Sequence, residues 1–377
     1  MPRGPREVGL TLLAALAASQ AALVALNPLL PEVARDLDVS IATAGQLRTL
    51  SGLAAGLAAL ATGLVAGRVG LRGLLLAAVG LLAVGSAGSA LAPSFAILAS
   101  AQALVGAGIG ISYSAALAAT AEWSTAETRS RVLALTLLGP PIAWIVGMPL
   151  VGLLGEVDWR LAWALVPVSM AIAAAVLLVR LPATPPAAAR ARLRAVVASP
   201  GVARWLTGEL LAFSGWAGAL VYVGALLVES YRLSVAATGL ALGLGALVYV
   251  PGNLLFRRWV DEHGRLMLVA LALAAAAATL VLGAVRPSVW VSIGAFSALC
   301  FIAGGRTLAG SARALGLAPE LRLGVTGVRA AAIQAGYFVG AAVGGAALAV
   351  GGGYGTLGVA FAALFVGAAV PHLVPLR

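Results

Sequence analysis

Apolar runs of about twenty residues recur from one end of this chain to the other, and they leave it few ways to fold. A run of that length matches the hydrocarbon thickness of a bilayer, roughly 30 Å at 1.5 Å per helical residue. Inside lipid every backbone N–H and C=O must be bonded within the segment, so each run is expected to be a helix. Six runs, 8–30, 43–66, 74–91, 95–119, 132–154 and 161–179, precede the strip RLPATPPAAARARLRAVVASPGVAR at 180–204. Six follow it, 205–228, 236–256, 266–285, 289–312, 325–350 and 354–371. The strip carries Arg180, Arg190, Arg192, Arg194 and Arg204 with no acid. Its prolines lack an N–H and clash with a preceding turn, so it cannot continue a helix. The pattern predicts an all-α integral membrane protein of twelve transmembrane helices, arranged as two pseudo-symmetric six-helix bundles. Residues 1–180 form the first bundle, 181–203 a cytoplasmic linker and 204–377 the second.

Composition excludes the main alternatives. With 62% hydrophobic and only 10% charged residues, the 377-residue chain holds more apolar surface than a soluble core can hide. A net charge of +11 in a soluble protein points to nucleic acid, but here the basic residues are arginines in short loops and no basic helix face with interleaved aromatics occurs. The positive-inside rule accounts for them. Arg3, Arg6, Arg68, Arg72, Arg129, Arg131, Arg257, Arg258, Arg265, Arg313, Arg322 and Arg377 are expected in loops on the same side as the strip. The opposite loops hold Arg35, Arg48, Arg160, Arg232 and Arg286, with Glu32, Asp36, Asp38, Glu156 and Asp158 beside several of them. Both termini are therefore expected in the cytoplasm of a cell whose plasma (inner) membrane the chain crosses many times. The first residues imitate a signal peptide, yet the apolar run continues to Leu26 and reads as an uncleaved first helix. Cys300 is the single cysteine, and with His263 and His372 far apart in sequence neither a disulfide nor a metal or other cofactor is expected. No paired carboxylates, histidine cluster or nucleophile–base constellation marks an enzyme.

Small residues recur at four-residue spacing, as in Gly52/Gly56 and Gly336/Gly340/Gly344, which lets helix backbones approach closely in lipid. Gly351-Gly352-Gly353 reads as a tight turn between the last two helices. The fifth run is unusual. Pro140, Pro141 and Pro149 remove backbone donors and bend it, while Gly139, Gly147, Gly152 and Gly155 leave it smooth, as a bearing surface between two rigid halves.

Three stretches resemble a known family. They are Asn27-Pro28-Leu29-Leu30-Pro31-Glu32; Gly139-Pro140-Pro141 with Gly147-Met148-Pro149-Leu150, Gly152, Gly155, Trp159 and Arg160; and Gly63 with Gly67-Arg68-Val69-Gly70-Leu71-Arg72. Together they resemble the major facilitator superfamily over the whole chain, and within it the twelve-helix drug:proton antiporters of the arabinose-efflux and purine-efflux type. Gly67 and Leu71 stand where the family's signature loop has an acid and a base, and Asp261 with Gly264 and Arg265 forms the corresponding loop of the second half. Gln102 stands where arginine is frequent, and Ser19 and Gln20 where many proton-coupled relatives carry an acid. The resemblance implies a monomeric secondary transporter working by alternating access. It would export a small amphipathic or aromatic solute, such as a drug, nucleoside or sugar, in exchange for protons. A proton-independent facilitator or importer of the same fold, and a non-transporting receptor, are the rival readings. The gating loops would be Gly67, Arg68, Gly70 and Arg72 in one half and Asp261 and Arg265 in the other.

Charges inside spans mark the site. Each costs about 2.5–3.5 kcal/mol on insertion scales, so such groups pair or face a wet cavity. Glu209, Arg306 and Arg329 lie one to two turns from the same boundary, where they can meet at one depth. The resemblance implies that helices one, four, seven and ten line the cavity, so that a Glu209–Arg306 pair would face it; a structural pair or snorkelled charge, a coupling or substrate site with Glu209 as the coupling acid, and no contact at all are the three readings. Helical spacing aligns further cavity candidates: Gln20 with Asn27, Gln102 with Tyr113, Phe213 and Trp216 with Glu209, and Phe296 with Arg306. They describe an apolar, aromatic chamber with few polar anchors.

Overall fold

The computed structural model describes residues 4–125, 127–181, 196, 198–199, 201–257, 259–317 and 322–373. Among them no strand occurs. The helices are α1 Pro5–Asp36, α2 Ile41–Val69, α3 Leu71–Ala90, α4 Phe95–Glu122, α5 Arg131–Gly155 and α6 Trp159–Leu178. They continue with α7 Val202–Tyr231, α8 Val235–Phe256, α9 Glu262–Val285, α10 Val289–Leu317, α11 Arg322–Ala347 and α12 Gly353–Leu373. The last two are parted where Gly351 and Gly353 take φ of 88° and 58°, left-handed backbone that only glycine adopts freely. Most of the proposed linker, 182–195, lies outside the described residues.

Proline places the breaks. Pro28 cannot donate to the carbonyl of Val24, and α1 is interrupted at Ala25. Pro251 likewise leaves Leu247 without its partner, and α8 is interrupted at Val248. In α5 the prolines bracket a single π-helical turn, Ala143–Gly147, the kind of local widening that recurs at functional sites. The first and eighth runs, expected to be continuous, are thus jointed like the fifth.

Packing repeats between halves. The contacts α1·α5, α1·α6, α2·α4, α3·α4 and α3·α6 are matched by α7·α11, α7·α12, α8·α10, α9·α10 and α9·α12. Side chains repeat as well. Arg72 at the start of α3 donates to the carbonyl of Val179 beyond α6 at 2.9 Å, and Arg265 at the start of α9 donates to that of Leu373 ending α12 at 3.0 Å. At the opposite end Arg160 of α6 pairs with Asp36 of α1 at 2.7 Å, while the Tyr354 hydroxyl of α12 donates to Glu229 of α7 at 2.6 Å. We call the end bearing Arg72 and Arg265 the terminal face and the other the far face.

The bundles meet towards the far face, along α2·α11, α5·α8 and α1·α7. Glycine makes this seam. A Cβ on Gly52 would stand 2.6 Å from the Phe338 nitrogen, and one on Gly152 would stand 2.8 Å from both Gly239 Cα and the Val235 carbonyl. Gly56, one turn nearer the terminal face, has open space instead. The seam is also capped: the Glu156 carboxylate of one bundle accepts the Ala236 N–H at 2.8 Å, at the N-terminus of α8 in the other. Glu156→Ala is expected to remove about 1 kcal/mol from this closed arrangement, roughly a fivefold shift towards its open counterpart. Spin-label distances between positions 157 and 233 would report it.

Candidate functional site

The strongest electrostatic feature lies in the second bundle. Glu209 of α7 is fully buried, and its carboxylate bridges two arginines. Arg329 of α11 donates from Nε at 2.7 Å, and Arg306 of α10 lies at 3.5 Å. Arg306 also donates to the carbonyls of Leu268 at 3.1 Å and Gly208 at 2.9 Å, and Arg329 to that of Thr307 at 3.2 Å. Gly310 makes room for the acid, since a Cβ there would stand 2.6 Å from its Oε2. Phe213 lies under the Arg329 guanidinium at 5.7 Å, and His372 packs its Nε2 against Gly208. The expected Glu209–Arg306 pair is therefore a three-way cluster in which Arg329 is the nearer partner. The cluster is packed within the bundle rather than turned to an open chamber, Arg329 being its most exposed member with 12% of its side chain accessible. Two guanidiniums against one carboxylate leave it with one positive charge in excess.

The second feature crosses the seam. Trp144, in the π turn of α5, donates its indole N–H to Gln20 of α1 at 3.0 Å. Its ring lies 6.1 Å from Trp216 of α7 and meets Tyr249 of α8 edge-on at 5.5 Å. Tyr113 of α4 and Tyr249 lie within electrostatic reach of Tyr337 of α11, and Tyr337 within reach of Arg48 of α2. Arg48, grouped with the outer loops on sequence, is in fact a residue of the helix interior with 1% exposure. The correction follows from its place seven residues into α2, too deep for its side chain to reach water.

Of the predicted cavity residues, Gln20, Tyr113 and Trp216 belong to this constellation. The others do not. Gln102 donates to Ser89 at 2.9 Å and joins α4 to α3. Phe296 packs on Gly245 between α10 and α8. Asn27 is buried at the far-face seam, its backbone carbonyl against Gly224 and its amide without a partner among the described residues. Trp144, Tyr249, Tyr337 and Arg48 were missed, although Arg48 is open to the same charge-in-a-span argument that marked Glu209.

The interface motif divides similarly. Pro149 and Gly152 meet Gly243 and Gly239 of α8, whereas Gly139 and Pro140 are buried in the first bundle, Gly139 against Leu13 of α1. Gly147 has nothing within 4 Å. At the terminal face Arg68 is exposed and Gly70 takes φ of 73° to start α3. Gly67 and Asp261 lie on helices, and their side-chain surroundings fall outside the described residues.

Two pseudo-symmetric bundles, joined at one face by a glycine seam with an aromatic centre, define a multi-pass helical membrane protein of the transporter class. Residues 11–222, more than half of the chain, match the family model for the Major Facilitator Superfamily, and the chain belongs to that superfamily. Its members bind small molecules and sit in the bilayer. Three solved structures share the fold at low identity. One is a bacterial homologue of the human lysosomal transporter Spinster, inward-facing and unoccupied, with TM-score 0.80, 14% identity and coverage of 98% of this chain and 96% of that one. A D-xylose–proton symporter has TM-score 0.76, 16% identity and coverage of 99% and 98%. The human organic anion transporter TETRAN has TM-score 0.73, 17% identity and coverage of 98% and 100%. A comparison with curated proteins finds no match.

Proposed function

We propose that this chain exports a small amphipathic or aromatic solute from the cytoplasm by alternating access, in exchange for protons taken up at Glu209. The observation that carries the reading is a buried carboxylate shared by two arginines on the same helix as a seam aromatic. Glu209 and Trp216 lie seven residues, two turns, apart on α7. Protonating Glu209 would leave Arg306 and Arg329 facing each other without their bridge, loosening α7 from α10 and α11 and so moving Trp216 against Trp144. The arginine-rich terminal loops support a cytoplasmic terminal face, and the far-face seam is then the barrier that opens for release. The solute would sit against Trp144, Trp216, Tyr249 and Tyr113, with Gln20 holding Trp144 in place.

A facilitator that uses no proton is the second reading. It is favoured by the enclosure of Glu209 between two arginines, and by Ser19 and Gln20 in place of a first-helix acid. Purified protein in liposomes with an imposed pH gradient separates the two, tested with nucleosides, sugars, cationic dyes and aromatic acids. About 100 mV and one pH unit together supply about 3.7 kcal/mol per proton, enough for a roughly 500-fold gradient of a neutral solute. Glu209→Gln is expected to abolish that accumulation while downhill exchange continues. Full gradient-driven transport by the variant would remove Glu209 as the coupling group.

A further inference from the structure

The arginines at Glu209 show what a resident buried guanidinium looks like in this protein: a carboxylate on one edge, backbone carbonyls on the others. Arg48 has neither. Its Nε, Nη1 and Nη2 are all buried, and no acceptor among the described residues bonds any of them. A guanidinium stays protonated in proteins, and a desolvated charge without a counterion is strongly unfavourable. The site is incomplete as it stands.

Its placement points to what completes it. On α2, Ser51 and Ala55 face α4, where Gly106 and Gly110 lie against their carbonyls, and Gly52 faces Phe338 of α11. At 100° per residue Arg48 falls between those two faces, so it is aimed into the wedge between α4 and α11. Tyr337 of α11 borders that wedge, its backbone carbonyl carbon 3.1 Å from a Cβ on Gly52; it lies within electrostatic reach of Arg48, Tyr113 and Tyr249, and Tyr249 meets Trp144 edge-on at 5.5 Å. One unpaired planar cation thus stands at the end of a wall of aromatic rings with phenolic donors. A carboxylate matches the guanidinium fork with two parallel hydrogen bonds, and an aromatic body matches the ring wall. A cationic solute would meet an uncompensated positive charge there.

We propose that the solute is an aromatic or amphipathic organic acid in its anionic form, and that Arg48 binds its carboxylate. This deepens the transport reading of the same seam and rests on it. The test compares purified wild type with Arg48→Met in detergent at low salt, using radiolabelled benzoate and its uncharged analogue benzamide in equilibrium dialysis, and thermal denaturation without ligand. Wild type is expected to favour benzoate on the order of 10- to 100-fold, a preference that Arg48→Met erases. The ligand-free variant should melt higher than wild type, because the substitution removes an unpaired buried charge. Equal binding of the two probes, binding of neither, unchanged preference in the variant, or a variant that melts lower would each overturn the proposal. So would full displacement of benzoate by an equal concentration of chloride, which would mark an inorganic anion site. In liposomes, Arg48-dependent benzoate binding without flux would remove the transport reading alone, whereas coupled flux of another solute without a benzoate preference would remove the organic-acid assignment alone.

Discussion

Glu209→Ala is expected to destabilise the protein by about 3–5 kcal/mol, because it strands two buried charges with one substitution. Arg306 is 6% exposed, and both arginines keep backbone carbonyl partners, but neither then has a counterion. Unfolding of purified protein by heat or by graded SDS should show the loss. The triple variant with Arg306→Met and Arg329→Met is expected to recover most of it, since well-packed apolar groups often replace a buried ion cluster without loss. A single variant within about 1 kcal/mol of wild type would mean that the carboxylate does not neutralise the pair. Because the cluster lies wholly within the second bundle, this loss is read from unfolding alone, separately from the coupling tested with Glu209→Gln.

Gly152→Val should act on the other axis, the equilibrium between conformations. Its side chain would enter a contact of backbone with backbone, 2.8 Å from Gly239 Cα and from the Val235 carbonyl, where no rotamer change relieves the clash. Overpacking of this kind costs about 1–3 kcal/mol, and here only in the state where α5 and α8 touch. The far-face-closed population should fall by roughly 5- to 150-fold, with spin-label distances across positions 157 and 233 lengthening and solute cycling stopped. Gly147→Ala on the same helix is the control. With nothing within 4 Å of its added methyl, it should leave both distances and flux unchanged.

The two proposals also bear on energetics. Exchange of one entering proton for one exported monoanion moves two positive charges inward, so each 100 mV contributes about 4.6 kcal/mol. Accumulation in liposomes should then respond to membrane potential more steeply than to the pH gradient.

The twelve long helices of the described residues were legible in the chain because hydropathy and length are properties of single segments, and a bilayer enforces helix in each of them. Pro140, Pro141 and Pro149 likewise announced the bend in α5, and the same rule applied to Pro28 and Pro251 accounts for the joints in α1 and α8. The cost of a charge in lipid singled out Glu209, Arg306 and Arg329 without any coordinates. What only the tertiary structure decided is how each helix is rotated and which neighbour it meets. Spacing along α4 puts Gln102 and Tyr113 in one series, yet Gln102 turns to Ser89 on α3 while Tyr113 joins the phenols at the seam. Arg329 proved nearer to Glu209 than Arg306 did, and Trp144, hidden among apolar residues, became the centre of the seam. Those choices rest on glycines such as Gly52, Gly106, Gly152 and Gly310, where one backbone touches another helix at van der Waals distance. Such contacts join residues far apart in the chain, and no periodicity within a single segment encodes them.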